Sequence, residues 1–214
     1  MNVYVETNFV LELAFDQEQK TQCELILNLC ETGKINLIIP AYCLAEPHEK
    51  LTRQANHRKE LQRSLDNELQ RSLDNELVQL RRTKSYSNRV SSIQNIASLL
   101  VQSTEEEKVR FIKLRARFLI VADIIPLTID ILREAANCEA PYDLDPQDAI
   151  VFASVISHLQ KNPSVASCFL NKNIKDFDTP DIEDALKKNK CKMLPRFDSG
   201  HNFIMSKINT IKLL

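Results

Sequence analysis

Glycine is nearly missing from this chain, at 2 of 214 residues. A glycine-rich loop that cradles phosphate needs more than that, and so does a turn-dense all-β fold. Excess charge of either sign is missing too: 28 basic against 29 acidic residues leave a net charge of −1. No global basic field therefore announces nucleic acid. The six cysteines, Cys23, Cys30, Cys43, Cys138, Cys168 and Cys191, form no C-x-x-C pair, and none has a histidine at zinc-ligand spacing. They read as small buried hydrophobes in a reducing cytoplasm. The start of the chain has no basic segment followed by an apolar one, so no signal peptide is expected. Nor does any apolar run reach the roughly 18 residues of a membrane span. The expected compartment is the cytoplasm.

Long polar–apolar periodic stretches point to a mostly helical protein with a few buried strands. Residues Asn2 to Val5 read as a short strand, and Phe9, Val10, Leu13 and Ala14 continue as a helix. A second helix carries Cys23, Ile26, Leu27 and Cys30 on one face, with Gly33 as its C-terminal stop. Residues 35–40 give the second strand, and 41–51 turn helical, with Pro47 expected to kink that helix. Strands are also expected at 120–126, 167–170 and 190–194, and a helix at 129–136. Asp145 and Pro146 open a strongly apolar helix through His158, as N-cap and first helical residue. Strands alternating with helices indicate a parallel sheet in a three-layer α/β/α domain.

Between about residues 50 and 117 the character changes. Glycine and proline vanish and charge is dense, which suggests two long helices with their turn near 81–92. Thr104 and Glu107 have capping-box spacing, so a helix is expected to restart there. The octad Leu-Gln-Arg-Ser-Leu-Asp-Asn-Glu occurs at 61–68 and again at 69–76. Eight residues at about 100° each make two turns plus roughly 80°, so the two copies face different ways. A solvent-facing spacer helix tolerates that rotation, and so does a partner-binding arm. The domain reading is therefore an α/β domain, 1–50 and 118–214, interrupted by a helical-hairpin insertion, 51–117.

Three acids stand where an element begins or ends: Glu6 after the first strand, Glu46 early in the helix after the second, and Asp148 in the first turn opened by Asp145. Each has a plain reading as a dipole or capping residue. Together with Glu6-Thr7-Asn8, Gln147-Asp148-Ala149 and the run from Phe169 to Phe177, they resemble the motifs of a PIN domain. The resemblance covers about residues 1–50 and 118–195. It implies a metal-dependent nuclease acting on RNA, often a toxin paired with an antitoxin. Glu6, Glu46 and Asp148 match the ligand positions for Mg²⁺ or Mn²⁺, hard ions that choose carboxylate oxygens and water. Glu6 departs from the family's usual aspartate by one methylene. For the fourth acidic position Asp176 is the choice, with Asn173 as helper, and Asn8 is expected to orient Glu6 or a metal-held water. Lys108, Arg110, Lys113, Arg115 and Arg117 form a basic run with no acid among them, a surface for phosphates or a plain solvated face. Arg81, Arg82, Lys84 and Arg89 add charge near the expected turn. Phe111 and Phe118, interleaved with the run, read as core. Self-association stays open. Two rival readings remain: a non-catalytic binding module built on the insertion, and a magnesium-dependent phosphohydrolase of small molecules.

Overall fold

A computed structural model describes residues 1–72, 87–163, 166–173, 177 and 179–212. Five parallel strands lie in the order β3-β2-β1-β4-β5. They are β1 (Asn2–Val5), β2 (Asn36–Pro40), β3 (Asp123–Ile125), β4 (Ser167–Leu170) and β5 (Cys191–Leu194). All five expected strands are present. Val3, Tyr4 and Val5 are fully buried, as a central parallel strand covered on both faces requires. Adjacent residues of β4 identify the two covering layers, since successive side chains point to opposite faces. Phe169 meets Phe177, which in turn meets Phe152 of α6 (Pro146–Lys161). Leu170 lies under Gly200 of α8 (Phe197–Lys212). The fold is thus a three-layer α/β/α sandwich.

On the Leu170 side, α1 (Thr7–Ala14) and α2 (Lys20–Glu31) join α8. Phe9 stacks edge-on against Phe197 and Phe118. On the Phe169 side, α5 (Ile129–Tyr142) packs along α6. Tyr4 hands its hydroxyl to His158 Nδ1 at 2.9 Å, while His158 Nε2 stands 3.3 Å from Asp123. The smallest remaining helix, α7 (Pro180–Lys188), starts at the Thr179 N-cap, with Pro180 in its first turn, and packs on β5.

Two compact units are present, Met1–Pro47 with Phe111–Leu214, and His48–Arg110. The second is built from stretches of α3 (Tyr42–Ser72) and α4 (Ser87–Val121). Within it, Arg58 of α3 reaches Glu107 and Thr104 of α4. The expected capping box at Thr104 is not used. Helix α4 runs through it unbroken, Glu107 serves Arg58, and the Thr104 hydroxyl bonds back to the Leu100 carbonyl at 2.9 Å. Residues 87–92, expected near the turn, are already helical. Residues Arg81, Arg82 and Lys84 lie outside the described residues, as do the side chain of Arg89 and residues 73–76 of the second octad.

Three local expectations also change. Helix α5 continues past Ala136 to Tyr142 and takes in Pro141 near its end, at the loss of the one bond that the Pro141 nitrogen cannot give. Asp145 is at the N-cap of α6, but its side chain accepts no capping bond. Helix α8 was not foreseen, since its Ser199-Gly200 pair reads locally as a turn. Its first turn is capped instead from a distance, by Gln19 Oε1 accepting from the Phe197 and Asp198 amides at 2.8 and 3.4 Å.

Candidate metal centre at the strand switch

The chain steps outward from β1 through β2 to β3, then returns to place β4 on the other side of β1. The order therefore reverses between β1 and β4. Loops leaving the carboxyl ends of two such strands splay apart and leave a crevice, where open α/β sheets bind ligands. Glu6 leaves β1 there, and Asn171, Lys172 and Asn173 leave β4.

Glu6 is the N-cap of α1, with extended backbone, and is 5% exposed. Its Oε2 accepts from the Asn8 amide at 2.6 Å, an ordinary capping bond. Its Oε1 accepts from the Lys172 amide at 3.2 Å, across the switch. Burial pushes this carboxyl up to about 7, against the pull of the amides of Asn8 and Lys172 and of the Asn8 side chain. The negative charge of Asp148 adds to the upward push. Glu6 and Asp148 thus share one electrostatic environment. Asp148 is half-buried in the first turn of α6, where Asn173 Nδ2 donates to its Oδ2 at 3.2 Å.

Glu46 joins through Thr7. The Thr7 hydroxyl, on the residue after Glu6, donates to Glu46 Oε2. Helix α3 passes through Pro47, so Glu46 sits one turn inside it. The Cys43 thiol lies between these groups: it bonds to Thr7 and is pushed up by burial and by the charges of Glu6 and Glu46. Asn8 is half-buried and turned to Glu6. Asp176 lies outside the described residues. Burial raises all six free thiols, so none is a ready thiolate ligand.

Much of the basic run has acidic partners of its own. Lys108 pairs with Glu105 at 2.8 Å and Arg110 with Glu106 at 3.7 Å, both one turn back on α4. Arg117 bridges Glu24 and Glu31 of α2 at 3.1 and 3.0 Å. Arg115 lies 5.7 Å from the centre of the Phe111 ring, and Lys113 is exposed. Phe111 and Phe118 are core, as expected.

Sequence reasoning passed over four residues of this region. Thr7 and Asn171 carried no charge to draw notice. Lys172 lay inside a motif read for its neighbours. Glu12 had a signal: one charge inside Phe-Val-Leu-Glu-Leu-Ala must be buried and paired. It is fully buried, and it accepts from Lys172 Nζ and from the Gln19 amide.

A family model for the PIN domain matches residues 3–177. The chain belongs to the PIN domain family. No curated protein and no solved structure matches it. PIN domains have a nuclease-type fold and typically bind divalent metals. Among the described residues of this PIN domain, no three His, Cys, Asp or Glu side chains are gathered closely enough to hold an ion by themselves. The donor set nevertheless fits a hard cation. Mg²⁺ is commonly held by one or two carboxylates and keeps several waters. Glu6 and Asp148 are oxygen donors, held by the amides of Asn8 and Lys172 and by the side chain of Asn173.

Proposed function

We propose that this PIN domain is a metal-dependent endoribonuclease that hydrolyses RNA phosphodiester bonds, with Glu6 and Asp148 holding Mg²⁺ or Mn²⁺ and Glu46, tied in through Thr7, as the third acid of the site. One observation carries the reading. Glu6 and Asp148 repel each other at the strand switch, where the amides of Asn8 and Lys172 and the side chain of Asn173 donate to them. A cation relieves that repulsion. When bound, the ion would activate water and stabilise the leaving oxygen. The chain's own residues hold the carboxylates in place: the Asn8 and Lys172 amides fix Glu6, Asn173 fixes Asp148, and Thr7 fixes Glu46. Asp176 completes the acidic set in this reading. Exposed Lys113 and Arg115 are the cations of the run best placed to meet RNA phosphates. The toxin role belongs to the same reading, with a small DNA-binding antitoxin as partner.

The test is thermal and chemical together. Mn²⁺ and Mg²⁺ should raise the melting temperature of the metal-free protein, because a ligand of the native state stabilises it. They should also switch on RNA cleavage that EDTA abolishes. Absence of both effects sinks the proposal. It would favour a binding module acting through the 48–110 unit, a reading supported by the amide of Asn173 at a position where the family often has an acid. No helix among the described residues is long and apolar enough to cross a membrane. A cytoplasmic site of action is part of the proposal.

A further inference from the structure

Lys172 has two attachments. Its main-chain amide donates to Glu6 at 3.2 Å, so its side chain begins beside the acidic pair. Its ammonium goes elsewhere, to Glu12 Oε1 at 2.5 Å. Glu12 is 0% exposed, whereas Lys172 is 37% exposed. The other oxygen of Glu12 accepts from the Gln19 amide at 2.7 Å, and Gln19 in turn caps α8. The carboxylate that takes the ammonium is therefore locked in place, while the ammonium hangs on a flexible stem with water at its side. A lysine is a compact point charge with free rotation about four carbons. Released from Glu12, it would find the Glu6 carboxylate within its reach, since the amide of the same residue already lies 3.2 Å from Glu6 Oε1. It would then occupy the position a divalent cation needs.

We infer that Glu12 is a positioning residue whose task is to hold the Lys172 ammonium off the Glu6–Asp148 pair, keeping that pair open for a metal ion. The inference rests on the metal reading of the site. It also accounts for a fully buried carboxylate that touches no part of the site directly. Simple structural pairing would make Glu12 and Lys172 a unit whose loss only loosens the fold. Holding the ammonium away makes a different demand: Glu12 matters for metal only while Lys172 carries its charge.

The experiment measures Mn²⁺ affinity by calorimetry for the full chain, Glu12→Gln, and Glu12→Gln with Lys172→Met. The metal-free structure of Glu12→Gln is determined alongside. Glu12→Gln should bind Mn²⁺ about 10–100-fold more weakly, the usual scale for residues behind a metal ligand. The double variant should return close to wild type, since no ammonium remains to intrude. The structure of Glu12→Gln should place Lys172 Nζ within hydrogen-bond distance of Glu6 or Asp148. Unchanged affinity in Glu12→Gln overturns the inference, and so does a double variant as weak as the single. A Lys172 side chain extended into solvent overturns it as well, whatever the affinities. If Glu12→Gln does not fold, the double variant decides alone. A wild-type chain that takes up no Mn²⁺ refutes the metal reading instead, while the position of Lys172 still judges the inference.

Discussion

Two clusters of charge in this molecule are built on opposite rules. In the helical unit, Arg58 forks onto Glu107 at 2.8 and 3.2 Å and gives a third bond to Thr104 at 3.0 Å. Both side chains are largely buried, at 16% and 10% exposure. Charge meets opposite charge, and the fork is satisfied within the cluster. At the strand switch, two carboxylates share one environment, and the amides of Asn8 and Lys172 and the side-chain amide of Asn173 donate to them. The Lys172 ammonium is directed to Glu12. The first arrangement is complete without a ligand. The second brings two like charges into one buried environment, which is the condition of a site. The contrast says more than the number of acids, since 29 acidic residues are spread over the chain.

The largest expected effect tests the incomplete cluster. Asp148→Asn keeps an oxygen to accept the Asn173 amide and keeps the helix start, but it removes the charge. Metal-dependent RNA cleavage should fall to background, and the melting-temperature gain from Mn²⁺ should vanish. Full activity in Asp148→Asn would place the cleavage elsewhere. The next effect tests the complete cluster. Arg58→Ala strips a buried carboxylate of its partner, which typically costs about 3–5 kcal/mol. Denaturant unfolding followed by circular dichroism should show that loss. It should be much smaller when Arg58→Met is combined with Glu107→Leu, because an apolar pair needs no partner. A small loss from Arg58→Ala alone would erase the contrast between the clusters.

The sheet was legible because each strand is a short apolar run closed by a turn or helix signal, and all five lie near where those runs fall. The order of Glu6, Glu46 and Asp148 along the chain was legible too, because each sits at an element boundary that the sequence marks. Their surroundings were not. The Lys172 amide that binds Glu6 comes from 166 residues away, and no local pattern encodes such a pairing. The partners of the basic run were hidden for the same reason. Its sequence holds no acid, yet Glu105, Glu106, Glu24 and Glu31 reach it from one turn back or from another helix. Helix α8 escaped because its stability comes from Gln19 and from packing rather than from its own start signal.

Acidity sharpens the comparison further. The Glu6 carboxyl is raised from an ordinary 4.5 to about 7 in the native protein. Between those values the native state binds a proton that the unfolded chain has released. Stability contributed by that proton is full below about 4.5 and is lost as pH rises to about 7, a change on the order of 3 kcal/mol. Glu6→Gln cannot titrate, so this share of the pH slope should disappear from metal-free unfolding curves. Identical slopes in wild type and Glu6→Gln would mean that Glu6 is solvated and the pair uncoupled.

The smallest effect comes from the layer behind β4. A Cβ on Gly200 would come within 2.6 Å of Leu170 Cδ2, and Leu170 is fully buried next to the switch loop. Two terms oppose each other in Gly200→Ala. Alanine gains roughly 1 kcal/mol over glycine inside a helix. Crowding a packed core loses roughly 1–3 kcal/mol. The clash involves the branched end of a leucine that the core holds on every side, so the crowding term should win by about 1 kcal/mol. Because Leu170 precedes Asn171, Lys172 and Asn173, any shift of the strand should also reach the amides that hold Glu6 and Asp148. Amide hydrogen exchange at Lys172 reads this directly, and faster exchange in Gly200→Ala is expected. Unchanged exchange with unchanged stability would show that Leu170 yields without moving the loop, leaving the acidic pair insulated from the packing beneath it.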